Sequence, residues 1–312
     1  MKLSDVDTTC SFLGKKLNAP LLINAMTGGH PEVGKINGSL ARVAHDFGVA
    51  MAVGSQTAGL EDPGLKDTYA VAREENPNGV LLANLSAGAP PEHAAAAVEM
   101  ISADGLQLYL NVPQEIVMSE GDRDFRGVID NIRAVVSSVG VPVIVKEVGF
   151  GISKEAAAAV YDAGVRYIDV SGQGGTNFIA VEQRRTGSTS SGGILNWGIP
   201  TASSLLEVLS LGTSLFVIAS GGLYNGVDIA KALSLGAGMA GMAGPLLKSL
   251  VEGSEDVLRN LVNSILGELR LAMLLTGAAD LKQLQRRPVI ITGKTAEWME
   301  RRGIDINCYA RR

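Results

Sequence analysis

Two glycine-containing turns in the C-terminal third of the chain have the residue types of a phosphate site. They lie at residues 218–223 (IASGGL) and 241–244 (GMAG), and each ends an apolar, strand-like run and opens a helix-like one. Backbone N–H groups at such a turn, with a helix N-terminus behind them, bind anions. Two turns that are one strand–helix unit apart match the phosphate site after the seventh and eighth strands of a (β/α)8 barrel. The pattern therefore predicts a cofactor or substrate that carries phosphate.

Polar and glycine residues also follow each of the six earlier apolar runs. In chain order they are Met26 to Gly29, Gly54 to Gln56, Asn84, Asn111 with Gln114 and Glu115, Lys146 with Glu147, and Ser171 with Thr176. The carboxyl ends of barrel strands meet at one rim, where barrel enzymes have their active sites. We therefore expect these groups to converge at that rim while the strand bodies stay apolar.

Lys146 is the most informative of these residues because it lies inside an apolar strand, VIVKEV (143–148). A buried lysine needs an anionic partner, and the edge of a reduced flavin would provide one. An ion pair with Glu147 is the alternative, but neighbours on a strand point to opposite faces. We therefore predict a flavin whose phosphate lies on the glycine turns. The residues assigned to it are Ala25, Met26, Thr27, Ser55, Asn84, Lys146, Ser171, Thr176, Gly221, Gly222, Ala243 and Gly244.

Eight apolar runs separated by helical patterns indicate the barrel that would position these residues. Alternating strands and helices imply βα units and a parallel sheet, and continuous apolar runs suit strands buried on both faces. The runs are residues 19–25, 49–53, 79–84, 106–111, 141–148, 167–171, 215–220 and 238–242, and the main helices are predicted at 36–47, 92–102, 127–139, 154–163, 203–211, 227–235 and 254–275. We predict one α/β domain over residues 1–312, a flavin-binding (β/α)8 TIM barrel, with a helical extension at 254–312 whose first helix packs outside the barrel.

One connection, residues 173–200, is too long for a simple loop. It contains Arg184 and Arg185, followed by GSTSSGG (187–193). Long connections without secondary structure in a compact domain are usually lids or disordered segments, and this one leaves the barrel at the rim. We predict an active-site lid, with a passive linker as the alternative.

Composition narrows the class of protein. The chain has 312 residues, 46% of them hydrophobic, and a net charge of −5, which argues against a nucleic-acid surface. Its two cysteines, Cys10 and Cys308, lie at opposite ends without a Cys/His cluster, which predicts reduced thiols rather than a metal or redox site. No signal peptide and no apolar run of membrane-span length is visible. We expect a cytoplasmic protein with neither nucleic-acid nor membrane partners.

The order of the motifs resembles that of the type 2 isopentenyl diphosphate isomerases, which depend on flavin. The matching segments are 20–29 (PLLINAMTGG), 52–56 (AVGSQ), 110–115 (LNVPQE), 120–123 (EGDR), 143–153 (VIVKEVGFGIS), 174–178 (GGTNF), 197–201 (WGIPT) and the two glycine turns. The resemblance implies a (β/α)8 barrel with FMN, a Mg²⁺-dependent reaction and a homotetramer or homooctamer. It implies a 1,3-allylic proton shift that interconverts isopentenyl and dimethylallyl diphosphate in isoprenoid biosynthesis, with the FMN reduced by NADPH.

The resemblance also implies roles for individual residues. Protonating an isolated alkene develops tertiary carbocation character, for which common side chains are too weakly acidic, so a reduced flavin is a plausible acid and base. Gln114 is implied to lie at the hydrocarbon end of the substrate and Lys146 to support catalysis beside the flavin. An amide has no titratable proton near neutral pH, so Gln114 is a relay or a positioning residue. Tyr109, Asn111 and Gln114 are implied to bind substrate, and Glu115 to bind Mg²⁺.

Two departures from the family pattern lie at the diphosphate end. Family members have HxNxxQE where this chain reads YLNVPQE, so Tyr109 replaces a histidine, and a phenol carries no positive charge near neutral pH. The family segment that bears an Arg–Lys pair and a histidine ahead of the first strand is not seen here, because residues 4–18 already resemble the approach to that strand. Either the start is truncated or the protein works without this segment. Lys15 and Lys16 do not inherit its role. We expect weaker or rearranged diphosphate binding.

Two other functions stay open. Another FMN-dependent TIM-barrel oxidoreductase, of the 2-hydroxy acid oxidase type, would share the glycine turns and the lysine. It would need a catalytic histidine and arginines at the rim, where only His30 of the three histidines lies nearby. An inactive flavin-binding paralogue is supported by Tyr109 and by the missing family segment.

Overall fold

Eight short parallel strands close into a barrel in the computed structural model, which describes residues 1–187 and 192–312. Ahead of them, β1 (Cys10–Phe12) and β2 (Lys15–Leu17) form an antiparallel hairpin. The barrel strands are β3 (Leu21–Ile23), β4 (Ala50–Ala52), β5 (Leu81–Ser86), β6 (Gly105–Leu110), β7 (Val143–Glu147), β8 (Tyr167–Asp169), β9 (Phe216–Ser220) and β10 (Met239–Met242). Each pairs in parallel with the next along the chain, and β10 pairs with β3. The predicted (β/α)8 barrel is confirmed.

Helices follow the strands around the outside of the barrel. They are α1 (Pro31–Phe47), α2 (Thr57–Glu61), α3 (Asp67–Glu75), α4 (Pro91–Met100), α5 (Val112–Glu115), α6 (Val128–Ser138), α7 (Lys154–Asp162), α8 (Phe178–Thr186), α9 (Thr201–Leu209), α10 (Gly226–Leu235), α11 (Gly244–Val251), α12 (Glu255–Leu275), α13 (Leu281–Gln285), α14 (Gly293–Arg301) and α15 (Asn307–Ala310). All predicted helices are present, and α12 packs on α1, α10 and α11 as expected. Within the described ranges, no helix is both long enough and apolar enough to cross a bilayer.

Helix α1 shows how local sequence sets a boundary. It begins before the predicted residue 36 because His30 caps it, accepting the Glu32 N–H at 3.3 Å, and Pro31 fits the first turn, where its missing N–H needs no partner. It ends at Gly48, whose φ of +61° is the left-handed conformation that commonly ends helices. His30 therefore has a structural role at the rim.

The barrel interior has an apolar layer below a polar one. Alternate residues of a strand share a face, so Leu82 and Asn84 of β5 point inward together, as do Ile144 and Lys146 of β7. The apolar layer contains Leu22, Ala50, Leu82, Ile144, Ile218 and Met239. The polar layer, nearer the carboxyl ends of the strands, contains Asn24, Asn84, Gln107, Lys146, Asp169 and Ser220, all buried. The layer nearer the rim therefore carries the chemistry.

The β1–β2 hairpin closes the opposite end of the barrel. Phe12 is 1% exposed and packs on Tyr167 and Phe216, with ring centroids 6.0 and 5.4 Å away. Lys15 Nζ lies 2.6 Å from a carboxylate oxygen of Asp104, just ahead of β6. The hairpin lies at the N-terminal ends of the strands, and the expectation that Lys15 and Lys16 take no diphosphate role stays a prediction.

The connection at 173–200 contains α8, so the prediction of a segment without secondary structure is wrong. Asn177 caps this helix by accepting a backbone N–H of its first turn at 3.1 Å. Ile179 and Glu182 are buried and give the helix an inward face. Part of the GSTSSGG run, residues 188–191, lies outside the described residues. The role of the connection as a lid stays a prediction.

Candidate active site

The first glycine turn follows β9 and rests against the loop after β8. Gly221 and Gly222 have φ angles of +96° and +76°, which only glycine adopts without strain. A Cβ on Gly222 would lie 2.5 Å from the carbonyl carbon of Gly174. Thr201 donates its hydroxyl to the Gly221 carbonyl at 2.5 Å. Close backbone packing therefore fixes the shape of this turn.

The second turn lies beside the first, at the start of α11. Ala243 precedes the helix and Gly244 begins it. A Cβ on Gly244 would lie 3.8 Å from Thr176 Oγ1 in the loop after β8. Ser171, at the start of the same loop, is buried and donates its N–H to Asp169 at 3.2 Å. The structure thus brings the two turns and the loop after β8 together, as the barrel prediction required.

Lys146 is buried and forms no ion pair with Glu147. Its Nζ donates to the backbone carbonyl of Glu147 at 2.7 Å. The Glu147 carboxylate instead accepts backbone N–H groups of its own loop, from Val148, Gly149 and Phe150, at 2.5 to 2.9 Å. Burial lowers the pKa of the Lys146 ammonium, against the opposing effect of the Asp169 and Glu147 charges. The alternative of a Lys146–Glu147 side-chain pair is therefore wrong, because the two side chains leave opposite faces of β7.

The polar layer beneath the rim contains residues that sequence reasoning missed. Asp169 is fully buried and accepts hydrogen bonds from Asn24 Nδ2 at 2.6 Å and from Ser220 Oγ at 2.5 Å. Gln107 donates to Asn24 Oδ1 at 3.0 Å. The sequence contains a signal that could have located two of them. Asp169 and Ser220 each lie two positions after an apolar residue that points into the barrel. The layer places a carboxylate on β8, next to Lys146 on β7.

Unpaired polar atoms in this layer fit a bound flavin. Asn84 Oδ1 and Gln107 Oε1 are buried without a hydrogen-bond partner among the described residues. The Lys146 ammonium has three N–H groups, and the Glu147 carbonyl accepts one of them. Buried polar groups are nearly always paired in native proteins, so groups like these indicate a ligand or water. With the glycine turns nearby for a phosphate, the residues present fit FMN.

The residues assigned to the flavin ring differ in the hydrogen bonds that they already make within the protein. Ser55 Oγ lies 3.2 Å from the Tyr109 hydroxyl, and burial raises the pKa of that phenol. Thr27 donates its hydroxyl to Asn37 Oδ1 at 2.8 Å, so its side chain is engaged by α1. Ala25 and Met26 are half-buried and lie two and three residues beyond the end of β3. The Ala25 N–H donates to Asn24 Oδ1 at 2.9 Å. Ser55 Oγ also lies 3.1 Å from Thr57 Oγ1, so the hydroxyls of both Ser55 and Thr27 have partners within the protein.

The motif after β6 holds the predicted Mg²⁺ ligand in place. Asn111 Nδ2 donates to Glu115 Oε1 at 2.7 Å, and the Asp122 N–H donates to Glu115 Oε2 at 2.9 Å. Each carboxylate oxygen keeps a lone pair for a hard cation. Among the described residues, no cluster of three or more His, Cys, Asp or Glu side chains is placed to hold a metal ion. One carboxylate together with phosphate oxygens and water is a common Mg²⁺ shell, so Glu115 fits this cation.

Gln114 has a partner that the sequence did not reveal. Its Nε2 donates to Glu182 Oε1 on α8 at 3.1 Å. Glu182 is buried, and its Oε2 accepts from Arg185 Nε at 2.7 Å. Sequence reasoning misses Glu182 because Ile179 is the one other buried residue of α8, so the helix shows no apolar period. The contact joins α8 to the motif after β6.

Known proteins resemble this chain along most of its length. A family model described as FMN-dependent dehydrogenase matches residues 82–291. A relative from Symbiobacterium thermophilum, named isopentenyl-diphosphate delta-isomerase, is 52% identical over 315 residues, which covers 100% of this chain and 86% of that one. A relative of the same name from Moorella thermoacetica is 51% identical over 299 residues, with 96% and 86% covered.

The chain belongs to the type 2 isopentenyl-diphosphate delta-isomerase family. Membership in this family confirms the predicted resemblance and, with the matched model, FMN as the cofactor. A solved structure of a mandelate oxidase variant with an FMN adduct aligns with a TM-score of 0.69 at 21% identity, over 93% of this chain and 85% of that one. This isomerase family thus shares its fold with FMN-dependent oxidases.

Proposed function

We propose that this chain interconverts isopentenyl and dimethylallyl diphosphate by a 1,3-allylic proton shift in isoprenoid biosynthesis. The observation that carries the proposal is 52% identity, over the whole chain, to a relative of that name. The shift adds a proton to the terminal CH₂ of the double bond and removes one from the CH₂ on its other side. The rim supports it with phosphate turns, a buried lysine and an amide–carboxylate pair.

FMN would be held by the glycine turns and by the strand ends at Ser55, Asn84 and Lys146. In its reduced form, FMN would supply the acid and base for the shift. Lys146 would point its unused N–H groups at the ring edge and balance negative charge there. The neighbouring Asp169 opposes the loss of its proton. Asp169 therefore favours the charged form of Lys146, against burial, which lowers the pKa of the ammonium.

Gln114 would meet the hydrocarbon end of the substrate. Its NH₂ group is directed at Glu182, which leaves the amide oxygen free to accept a contact at the reacting carbons. Since an amide does not titrate near neutral pH, Gln114 acts by orienting the substrate or relaying a proton. Gln114 can play either role only if the orientation of its amide group is fixed.

The diphosphate would lie between the strand-end polar groups and Mg²⁺. Tyr109 and Asn111 would donate hydrogen bonds to it, and Glu115 would hold the cation. Tyr109 brings a neutral donor, because burial raises the pKa of its phenol above the ordinary value. We expect weaker diphosphate binding than a histidine at this position would give.

NADPH would reduce the flavin, and the chain would assemble as a homotetramer or homooctamer in the cytoplasm. Two free thiols, Cys10 and Cys308, agree with a reducing compartment. Trp197 and Tyr224 are 65% and 55% exposed, and a contact between subunits would cover such large side chains. Size-exclusion chromatography with light scattering tests the assembly.

An anaerobic assay distinguishes the isomerase from the oxidase alternative. The purified chain with FMN, NADPH and Mg²⁺ is given isopentenyl diphosphate, and dimethylallyl diphosphate is measured directly. We expect conversion, and we expect no hydrogen peroxide when lactate or glycolate is offered in air. Peroxide formation without isomerisation would favour the oxidase, and a yellow, oligomeric but inert protein would favour the inactive paralogue.

A further inference from the structure

Glu182 is a buried carboxylate whose two oxygens have different partners. Oε1 accepts from Gln114 Nε2 at 3.1 Å, and Oε2 accepts from Arg185 Nε at 2.7 Å. The Glu182 side chain is 7% exposed. A buried carboxylate is stable as a charge only when it is paired and hydrogen-bonded. Arg185 is the cation that supplies this pairing.

Arg185 is itself held by a second carboxylate on another segment. Its Nη2 lies 2.5 Å from Glu120 Oε1, in the loop that follows α5. The Glu182 and Glu120 carboxylates raise the pKa of its guanidinium. A planar guanidinium can serve two carboxylates in fixed directions, which a lysine cannot do. Arg185 therefore links α8 to the loop after β6.

The charge on Glu182 decides which way the Gln114 amide faces. An ionised carboxylate only accepts hydrogen bonds, so Gln114 must present its NH₂ group to it and its oxygen elsewhere. We propose that Arg185 is a positioning residue that fixes the Glu182 carboxylate and thereby the orientation of the Gln114 amide at the substrate. The inference rests on the proposed function, in which Gln114 meets the hydrocarbon end.

Arg184 offers a matched control for this role. It is the preceding residue of α8, its side chain is exposed, and none of the described residues bonds to it. The FMN-loaded full chain is compared with Arg185→Gln, Arg185→Lys and Arg184→Gln. We expect Arg185→Gln to lower kcat by roughly 10- to 100-fold, because a small misplacement of a positioned group has effects of this size. The KM for isopentenyl diphosphate should change by less than about twofold, because the diphosphate contacts that hold the substrate in the ground state are untouched.

The other variants test whether Arg185 acts on kcat through its charge and through Glu182. Arg185→Lys should recover part of the loss, because the charge is kept, and Arg184→Gln should match the unchanged chain. Combining Arg185→Gln with Glu182→Gln should be no worse than Glu182→Gln alone, since both act on one path. An Arg185→Gln enzyme with the kcat of Arg184→Gln, or a double variant with fully additive losses, would overturn the proposal.

Crystal structures of Arg185→Gln and Arg184→Gln give a readout that does not depend on activity. We expect the Gln114–Glu182 hydrogen bond to be lost or reversed only in the Arg185 variant. The bond intact in both variants would overturn the proposal. If the unchanged chain fails to isomerise, the proposed function is wrong, while these two structures still decide whether Arg185 positions Gln114.

If Arg185→Gln does not fold, Glu120→Gln replaces it as the test. This variant frees Arg185 from one side only, so we expect a smaller fall in kcat, and no fall would overturn the inference.

Discussion

Lys146 is the residue on which the flavin assignment depends most. It is 6% exposed, and its hydrogen bond goes to a backbone carbonyl rather than to a carboxylate. A cation in such a place is costly unless a ligand completes its surroundings. Asp169 is paired with Lys146 on the next strand, and its negative charge partly compensates the charge of the ammonium. The remaining N–H groups of the ammonium are therefore available to a ligand at the rim.

Replacing Lys146 by methionine tests this assignment. The change keeps the approximate length of the side chain but removes its charged donor. Charged hydrogen bonds contribute roughly 1.5 to 3 kcal/mol, so FMN should bind roughly 10- to 100-fold more weakly. Flavin fluorescence titration measures the affinity, and Lys16→Met, at the opposite end of the barrel, is the control. Equal FMN affinity in Lys146→Met and the control would contradict the assignment.

Glu147, at the same strand end, should make the stability of the fold depend on pH. Burial raises the pKa of its carboxyl from 4.5 to about 7, and backbone N–H bonds oppose the rise. A carboxyl whose pKa is higher in the folded state destabilises the fold as it ionises, so stability falls as pH rises from about 4.5 to about 7. Glu147→Gln does not titrate and should gain stability relative to the unchanged chain over this window, by up to about 3 kcal/mol. Urea unfolding at pH 5 and pH 8 measures the difference, and a difference that shrinks as pH rises would contradict the expectation.

At the scale of elements, the glycine turns depend on backbone shape more than on side chains. Gly222 has a φ of +76°, and a Cβ there would meet Gly174. Gly222→Ala should therefore push the two loops apart and weaken FMN binding by roughly 10- to 100-fold, the size expected from local strain of roughly 1 to 3 kcal/mol.

Gly212 is the matched control for this substitution. It has a φ of +64°, but a Cβ added there would lie in open space, with no other atom within 4 Å. Gly212→Ala should cost roughly 1 kcal/mol of stability and leave FMN affinity unchanged. Both affinities are measured by the same flavin titration. Equal FMN affinity in the two variants would show that the turn after β9 does not hold the cofactor.

Some elements could be predicted from sequence and others could not. Each barrel strand is a mostly apolar run that ends in a polar residue or is followed within two residues by a polar residue or glycine, so a local pattern carries enough information. The hairpin strands β1 and β2 have three residues each, too few to show an alternation. Helix α8 buries only Ile179 and Glu182, so its period is hidden by polar neighbours. Short or sparsely buried elements owe their form to the barrel they pack against.

For the whole molecule, the barrel brings together groups that are far apart in sequence. Gln114 and Glu182 are separated by 68 positions and meet at 3.1 Å. The order of motifs was enough to predict the barrel, the cofactor and the family. It was not enough to find the Asp169 layer or the Arg185 link, because these depend on which side chains face each other across strands and loops.

The central claim is that this rim moves a proton across an allylic unit when its flavin is reduced. The most direct test is anaerobic incubation of isopentenyl diphosphate with the FMN-loaded chain and Mg²⁺ in D₂O, followed by NMR, with and without NADPH. We predict dimethylallyl diphosphate that carries deuterium, formed only when the flavin is reduced. Absence of product with reduced FMN bound, or equal conversion with oxidised FMN, would contradict the account.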